Sequence, residues 1–176
     1  MRGLSSGVQI IVYIGYKIAA AAAVCRSAGP IQITSTQPRE TDQISLFVQG
    51  VLDAISTIQQ IDGRRLRQME NEIRSICGGQ WRYGVTYIRS GKLLLINNQL
   101  PRVMEGLDDI CLLACIIIGA SVNGFLHTKR IPVLWLPEKR IRRVLRSELK
   151  RFLLRWAIFY RLEQIPEIPE AALLQC

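Results

Sequence analysis

The feature that most restricts the fold of this chain is an eleven-residue run, ICLLACIIIGA, from Ile110 to Ala120. Wound as a helix it is apolar on every side, so no face of it suits water. A run of eleven residues is too short to cross a bilayer, which takes about 20. The run therefore predicts a central core helix, which we expect to begin at Pro101 and to end near Gly119.

The composition permits a compact body around such a helix. The 176 residues are 49% hydrophobic and 21% charged, as in an ordinary globular domain rather than a disordered chain or a membrane protein with many spans. A chain of this length buries well over half of its surface on folding without needing a metal or a disulfide. We expect one mainly helical α+β domain over residues 1–165, followed by a C-terminal tail at 166–176.

Two amphipathic helices are predicted before the central one. Over residues 44–58 apolar side chains recur at spacings of three and four, and an Asp-Gly pair follows at 62–63. A second helix is expected over residues 64–77, where two glycines end it. The two helices should form an antiparallel helical hairpin.

Extended structure is predicted on both sides of these helices. The alternating WRYGVTYIR segment, the Ser90-Gly91-Lys92 turn and LLLINN together predict a β-hairpin over residues 81–98. A buried strand is expected at 9–14, then an alanine-rich helix ending near Gly29-Pro30, then a loop or partly extended linker at 30–43. The first thirty residues also fit a targeting segment or a membrane anchor, so three interpretations of them stay open.

Positive charge is concentrated near the carboxyl end. The chain has 23 basic and 14 acidic residues, a net charge of +9, and arginine supplies 18 of the basic residues. Residues 129–161 hold eleven basic side chains and two acids. Because arginine makes planar bidentate contacts with phosphate and stacks on bases, its excess favours a polyanionic partner.

A closing helix that begins at Pro137 is predicted to carry this charge, after a loop at 120–130 and an extended segment at 131–137. At about 100° per residue, one quarter turn collects a core stripe of Ile141, Leu145, Leu149, Phe152, Trp156 and Phe159. The opposite side collects Arg142, Arg143, Arg146 and Lys150. The pattern predicts a basic amphipathic helix with one side in the core and the other in water.

Three interpretations of the basic side stay open. It is the solvated side of a core helix, a surface that neutralises phosphates, or a helix that lies on anionic lipid. If it binds nucleic acid, arginines of the second amphipathic helix and the start of the hairpin would extend it. The candidate nucleic-acid contacts are Lys139, Arg140, Arg142, Arg143, Arg146, Lys150, Arg64, Arg65, Arg67, Trp81 and Arg82.

The closing helix becomes apolar almost all round after Arg151, in the segment FLLRWAIFY. An exposed apolar surface requires a partner, here a second copy of the chain or a membrane. The candidate residues for that contact are Leu153, Trp156, Phe159 and Tyr160.

The sequence has no recognisable catalytic or metal-binding signature. The only histidine, His127, is expected in a polar loop, and Asp108 and Asp109 diverge by about 100° on a helix, so they do not face one metal. Neither a phosphate-binding glycine loop nor a nucleophile elbow occurs. We therefore expect no enzyme, no metal and no cofactor.

Five cysteines, an odd number without the spacing of a disulfide framework, point to buried thiols. Such thiols are typical of a reducing compartment. We expect an intracellular protein of the cytoplasm or nucleus, with organellar import left open.

The function that this pattern favours is non-enzymatic nucleic-acid binding through phosphate contacts of the closing helix. RNA is favoured over DNA because the sequence has no recognisable helix-turn-helix or zinc module, and arginine-rich helices suit recognition of shape and phosphate. The alternative is a membrane-apposed, matrix-like or scaffold protein that assembles through the same helix. Nucleic acid is the expected partner, with a homo-oligomer and an anionic membrane surface left open.

Overall fold

A computed structural model describes residues 23–36, 41–79, 84–97, 107–128 and 138–173. Within these ranges the chain is α+β, with a five-stranded sheet and five helices, which confirms the predicted fold class at that level. The strands are β1 (Ala23–Ala28), β2 (Ile31–Thr36), β3 (Ser75–Gly79), β4 (Val85–Ile88) and β5 (Leu93–Asn97). The helices are α1 (Thr41–Ile61), α2 (Gly63–Glu72), α3 (Leu107–Thr128), α4 (Glu138–Tyr160) and α5 (Glu170–Leu173).

The sheet is mixed, and its strand order is β1-β2-β3-β5-β4. In its middle β2, β3 and β5 run parallel, while the outer pairs β1–β2 and β4–β5 are antiparallel. Ile33 lies opposite Ile76, and Ile76 opposite Leu94, and all three are fully buried. The parallel pair β2–β3 needs a long crossover connection, which α1 and α2 supply. The core therefore lies between the middle strands and the helices.

The N-terminal strands correct the predictions for this region. Residues 23–28, expected in an alanine-rich helix, form β1, and residues 31–36, expected in a loop or partly extended linker, form the regular strand β2. Gly29, with a φ of 60°, takes the left-handed backbone of the two-residue turn between them. Alanine favours a helix locally, but β1 pairs with β2 along its whole length, and this pairing prevails. The strand expected at 9–14 lies outside the described residues.

The second amphipathic helix ends earlier than its pattern predicts. α2 stops at Glu72, because Ile73 is extended, with φ −121° and ψ 119°. Residues 75–79 then form β3, so Ile76 enters the sheet instead of continuing a helical face. The two glycines that were expected to end a helix are buried inside this strand. Pairing with parallel neighbours on both sides outweighs the local helical spacing.

The predicted β-hairpin overlaps β4 and β5, which are joined by a 3₁₀ turn at Arg89–Gly91. Lys92 follows that turn with a φ of 49°, so a lysine occupies a left-handed position. Residues 80–83, which include Trp81 and Arg82, lie outside the described residues.

α3 is covered on every side. It packs against α1, α2, α4 and α5, and every residue from Cys111 to Gly124 is buried. It continues to Thr128, so most of the loop predicted at 120–130 is helical, and His127 belongs to a helix rather than a loop. The start expected at Pro101 lies outside the described residues.

The length of α3 also corrects the argument that its apolar run is too short for a bilayer. The stretch Asp109–Leu126 is long and apolar enough to cross one, but 78% of it is buried within the fold. A core helix and a membrane span share this composition, so the helix by itself indicates no compartment.

The C-terminal segment packs onto α3. A Cβ atom at Gly119 would lie 2.8 Å from the carbonyl oxygen of Ala172 and 3.7 Å from a methyl group of Leu145. Ala172 is fully buried. This segment is therefore held by the core, whereas a loosely attached tail was expected there. The domain boundary at residue 165 stays a prediction.

Gly119→Ala should destabilise the protein by about 1–3 kcal/mol, because the added methyl group forces α5 away from α3. The measurement is urea unfolding followed by circular dichroism. The matched control is Gly63→Ala, since nothing lies within 4 Å of a Cβ at that position, and alanine in a helix is better than glycine by about 0.5–1 kcal/mol. Equal stability of the Gly119 variant and the wild type would contradict the close approach.

Tyr87 connects β4 to the end of α2. Its hydroxyl donates a hydrogen bond of 2.6 Å to the main-chain carbonyl of Glu72. Burial, followed by the negative charge of Glu72, raises the pKa of Tyr87 to about 12, and Arg89 opposes this shift. The ordinary phenol pKa is 10.0, so the folded state holds this proton more tightly than the unfolded chain does.

We expect the stability that Tyr87 contributes to be complete below pH 10 and to be lost as the pH rises towards about 12. Across that window the unfolded phenol ionises while the folded one keeps its proton. Tyr87→Phe should flatten this part of the alkaline decline in unfolding free energy. Ultraviolet titration of the folded protein provides a second readout, in which the variant lacks one late-titrating tyrosine. Identical titration curves for the two proteins would refute the assignment.

Candidate nucleic-acid interface

α4 is a long helix with defined ends. Glu138 in its first turn offsets the positive end of the helix dipole. At its other end Arg161 has a φ of 54°, and the Leu162 amide donates to the Ala157 carbonyl over 2.8 Å. This hydrogen bond, with that from Arg161 to Ile158, forms the Schellman motif that commonly closes helices.

One side of α4 belongs to the core. Its buried residues are Ile141, Leu145, Leu149, Phe152, Leu153, Trp156 and Ala157. Trp156 packs between Phe152, with ring centroids 5.7 Å apart, and Tyr160, at 4.8 Å. Leu153 and Trp156 were predicted to contact a partner or membrane, and this was wrong, because each is 1% exposed. Phe159 is 48% exposed and Tyr160 is partly buried, so these two retain accessible surface.

The other side of α4 carries most of its charge. The helix contains eight basic residues and two acids, and all eight basic residues are exposed. They are Lys139, Arg140, Arg142, Arg143, Arg146, Lys150, Arg151 and Arg155. The six that the sequence predicted as nucleic-acid contacts on this helix are therefore all accessible to solvent.

Ion pairs neutralise part of this charge. Arg142 lies 3.0 Å from Glu138, four residues earlier, and both side chains are about half exposed or more. Arg151 lies 3.3 Å from Glu148. Within the described parts of the chain, no ion pair involves the basic residues that remain on this helix before residue 151, which are Lys139, Arg140, Arg143, Arg146 and Lys150. We call these five the basic face.

The arginines of α2 occupy different environments from one another. Arg65 forms a salt bridge with Glu148 of α4, and its side chain is 10% exposed. The prediction that Arg65 contacts a ligand is therefore wrong, because its guanidinium already holds two helices together. Arg64 and Arg67 are exposed.

A second cross-helix ion pair lies beside the first. Arg155 of α4 contacts Asp62 at the α1–α2 turn over 2.5 Å. The two pairs flank an open cleft of about 420 Å³. It is lined by Ile61, Asp62, Gly63, Arg64, Arg65, Gln68, Glu148 and Arg155. Both carboxylates of the cleft are engaged with arginine, so the cleft is a mixed-charge junction between helices.

The basic face and α2 lie on different flanks of α4. Angles around the axis of α4 are counted from Ile141 at about 100° per residue. Arg146 and Lys150 lie at roughly 140–180° on this scale. Glu148 and Arg155, which form the ion pairs with α2 and the turn before it, lie at roughly 320–340°. Arg64 and Arg67 therefore do not extend the basic face directly, as the sequence had suggested. The structure brings five of the predicted residues onto one helix surface and separates them from the α2 arginines.

Two features of α4 were missed by the sequence analysis. Arg155 is exposed and pairs with the α1–α2 turn, a role that its position in an apolar segment did not indicate. Leu154 and Ile158 are 47% and 70% exposed, although nearby Leu153 and Trp156 were the residues chosen for surface contact. The i, i+4 spacing of Leu154 and Ile158 on the side away from Ile141 was the available signal.

Side chains for catalysis do not converge in the described part of the chain. No group of three His, Cys, Asp or Glu residues in those ranges can hold a metal ion. A hydrogen bond that the Cys115 thiol donates to Cys111, together with burial, raises the pKa of Cys115, and burial raises the pKa of Cys77. Buried thiols with raised pKa values are poor nucleophiles.

Comparison of the chain with protein-family models, with curated proteins and with solved structures finds no match in any of the three. Functional inference therefore depends on the chemistry of the surface described above.

The Arg65–Glu148 pair supplies a test of how the interface is supported. Glu148→Gln should lower the free energy of unfolding by about 1–3 kcal/mol, because a guanidinium that is 10% exposed loses its charged partner. The matched control is Glu138→Gln, which breaks a pair on the exposed surface and should cost about 0.5 kcal/mol or less. Chemical unfolding measures both variants, and equal losses would show that the cross-helix pair has no special structural role.

Proposed function

We propose that this protein is a non-enzymatic nucleic-acid-binding protein that contacts phosphates through the basic face of α4. The observation that carries the proposal is the exposure of Lys139, Arg140, Arg143, Arg146 and Lys150 on one helix without carboxylate partners among the described residues. Such a surface attracts a polyanion at long range and gains affinity by releasing its counterions.

The dimensions of the basic face suit a phosphate backbone. From Lys139 to Lys150 the helix rises about 16 Å at 1.5 Å per residue. A nucleic-acid duplex carries one negative charge for about every 1.7 Å of its axis, so several phosphates would lie within reach of these side chains.

The chemistry of α4 favours recognition without base reading. The helix contains no Asn, Gln or His, and the amide side chains that read adenine are therefore missing from it. Arginine and lysine on a helix surface recognise shape and phosphate, which is how proteins commonly bind double-stranded RNA. We therefore favour RNA over DNA as the partner.

An intracellular protein without a cofactor is the setting we propose for this activity. Cys77, Cys111 and Cys115 are free and buried, as suits a reducing compartment such as the cytoplasm or nucleus. The basic face lies on an exposed helix surface and not in an enclosed pocket. This position supports a binding role over an enzymatic one, because small-molecule sites are usually concave.

A second function is favoured by a separate observation. Large apolar side chains are exposed at the end of α4 and just after it, as in a membrane-apposed, matrix-like or scaffold protein that assembles through this helix. The two functions use different parts of α4 and are compatible in one protein.

RNA binding should be strongly salt-dependent and should fail when the basic face is reversed. The double variant Arg143→Glu and Arg146→Glu should lose about tenfold or more in affinity at low salt, because each reversal removes one phosphate contact and repels the backbone. The slope of log affinity against log salt should become shallower by about 0.7–0.9 for each lost contact. Fluorescence anisotropy with the full chain and RNA measures both quantities.

The control is Arg74→Glu, which is compared with Arg143→Glu alone and with Arg146→Glu alone because each of the three variants changes the net charge by the same amount. Arg74 is exposed and follows α2, so its replacement leaves the basic face unaltered. An equal loss in the Arg74 variant would indicate a general charge effect. Salt-independent binding would overturn the proposal, and equal affinity for RNA and DNA duplexes of one sequence would overturn the preference for RNA.

A further inference from the structure

The solvent side of α4 changes character halfway along the helix. Before residue 151 it is basic, and after that residue it exposes large apolar side chains. These are Leu154 at 47%, Ile158 at 70% and Phe159 at 48%, followed beyond the helix by Leu162 at 38% and Ile165 at 54%. Single exposed apolar residues are ordinary on protein surfaces, but five within twelve residues indicate a binding surface. We call these five the terminal apolar cluster.

Backbone geometry brings members of the cluster together. Leu154 and Ile158 are four residues apart on one helix and are therefore surface neighbours. The Schellman motif then turns the chain at Arg161 and bonds the Leu162 amide to Ala157, which returns Leu162 to the last turn of the helix. Leu154 and Ile158 thus form an apolar surface on the helix, and Leu162 lies at the end of the same helix.

Exposed cations surround the cluster. Lys150, Arg151, Arg155 and Arg161 are all exposed, and Glu163 is the only acid between residues 150 and 165. Arg151 and Arg155 are paired with Glu148 and Asp62, whereas within the described ranges no ion pair involves Lys150 or Arg161. An apolar surface with a basic border matches the interface of an anionic bilayer, where the apolar side chains enter the acyl boundary and the cations meet the lipid headgroups.

Arg161 strengthens this argument. Its φ of 54° is left-handed, a position that glycine fills at lower cost in most helices that end this way. An arginine therefore occupies position 161 although its backbone conformation favours glycine. Strained residues of this kind often occur at functional sites.

Other occupants fit the cluster less well. A twofold contact with a second copy would place the same surface on itself, so Lys150 and Arg161 of one copy would approach the same cations of the other. A nucleic acid offers phosphates to the cations but leaves aliphatic side chains uncovered, since its contacts come from charge and stacking.

We propose that the terminal apolar cluster and its border of Lys150, Arg151, Arg155 and Arg161 form a docking site for anionic lipid membranes. The site is peripheral: the chain lies on the bilayer by the end of α4 while α3 stays in the protein core. Lys150 belongs to both the border and the basic face, but the apolar cluster and the other border residues lie outside the basic face, so this proposal does not depend on RNA binding.

The test is flotation of the full chain with lipid vesicles, made either of phosphatidylcholine alone or of phosphatidylcholine with about one third phosphatidylserine. We expect binding to the anionic vesicles and little binding to the neutral ones. The double variant Leu154→Ser and Ile158→Ser should lose about tenfold or more of that binding, with RNA affinity unchanged. The matched control is Leu46→Ser, which removes a side chain that is 71% exposed at the start of α1.

A second variant separates docking from folding. Arg161→Gly should keep or raise the unfolding midpoint, because glycine accepts the left-handed backbone, yet it should weaken anionic-vesicle binding several-fold by removing a border charge. A structural role alone would predict no such loss.

Three results would overturn the proposal. The first is equal binding of the wild type to neutral and anionic vesicles, and the second is unchanged vesicle binding of the Leu154 and Ile158 double variant. The third is a wild-type protein that binds no vesicles but is a dimer in light scattering, when the double variant is a monomer. The last result would show that a second copy covers the cluster. Failure of RNA binding in the basic-face variant is measured separately and leaves these outcomes unaffected.

Discussion

Burial of the middle of α3 is the constraint on which the rest of the structure depends. From Cys111 to Gly124 every residue of this helix is buried, so every side of it needs a neighbour. The other four helices of the described chain supply that cover. The approach of α5 is close enough that only a glycine fits at position 119 without movement. Each covering helix must therefore turn one apolar stripe inwards, and its remaining surface is what the molecule presents to partners.

α4 shows how this constraint creates the candidate binding surfaces. Its buried stripe is used to cover α3, while Glu148 and Arg155 are used in ion pairs with Arg65 and Asp62. These pairs engage Glu148 and Asp62 and hold the helix beside the α1–α2 turn. Among the described residues no carboxylate pairs with the basic face, and the side chains of the terminal apolar cluster are exposed. One helix thus carries two adjacent candidate surfaces, for which we propose phosphates and an anionic membrane as partners.

The regions that sequence reasoning described well are those in which structure is local. α1 and α4 follow from apolar spacing over about four turns or more, and the exposure of Arg143, Arg146 and Lys150 follows from the spacing in α4. The strands β1, β2 and β3 were missed because pairing across the sheet, with partners far apart in sequence, decides them. The terminal apolar cluster was partly misassigned for a similar reason. In a segment that is apolar all round, the helices packed against α4 bury Leu153 and leave Leu154 and Ile158 outside.

By itself the sequence determined the mainly helical α+β class and the place where positive charge accumulates, because composition and helical periodicity act over neighbouring residues. Tertiary structure alone decided which strands pair, which arginines are neutralised by carboxylates from other helices, and which side of an all-apolar segment meets water. Arg65 illustrates the difference: as a residue it is as basic as Arg64, yet a salt bridge to a residue more than eighty positions away removes it from the surface. Contacts between distant parts of the chain have no periodic signature, so only the folded structure shows them.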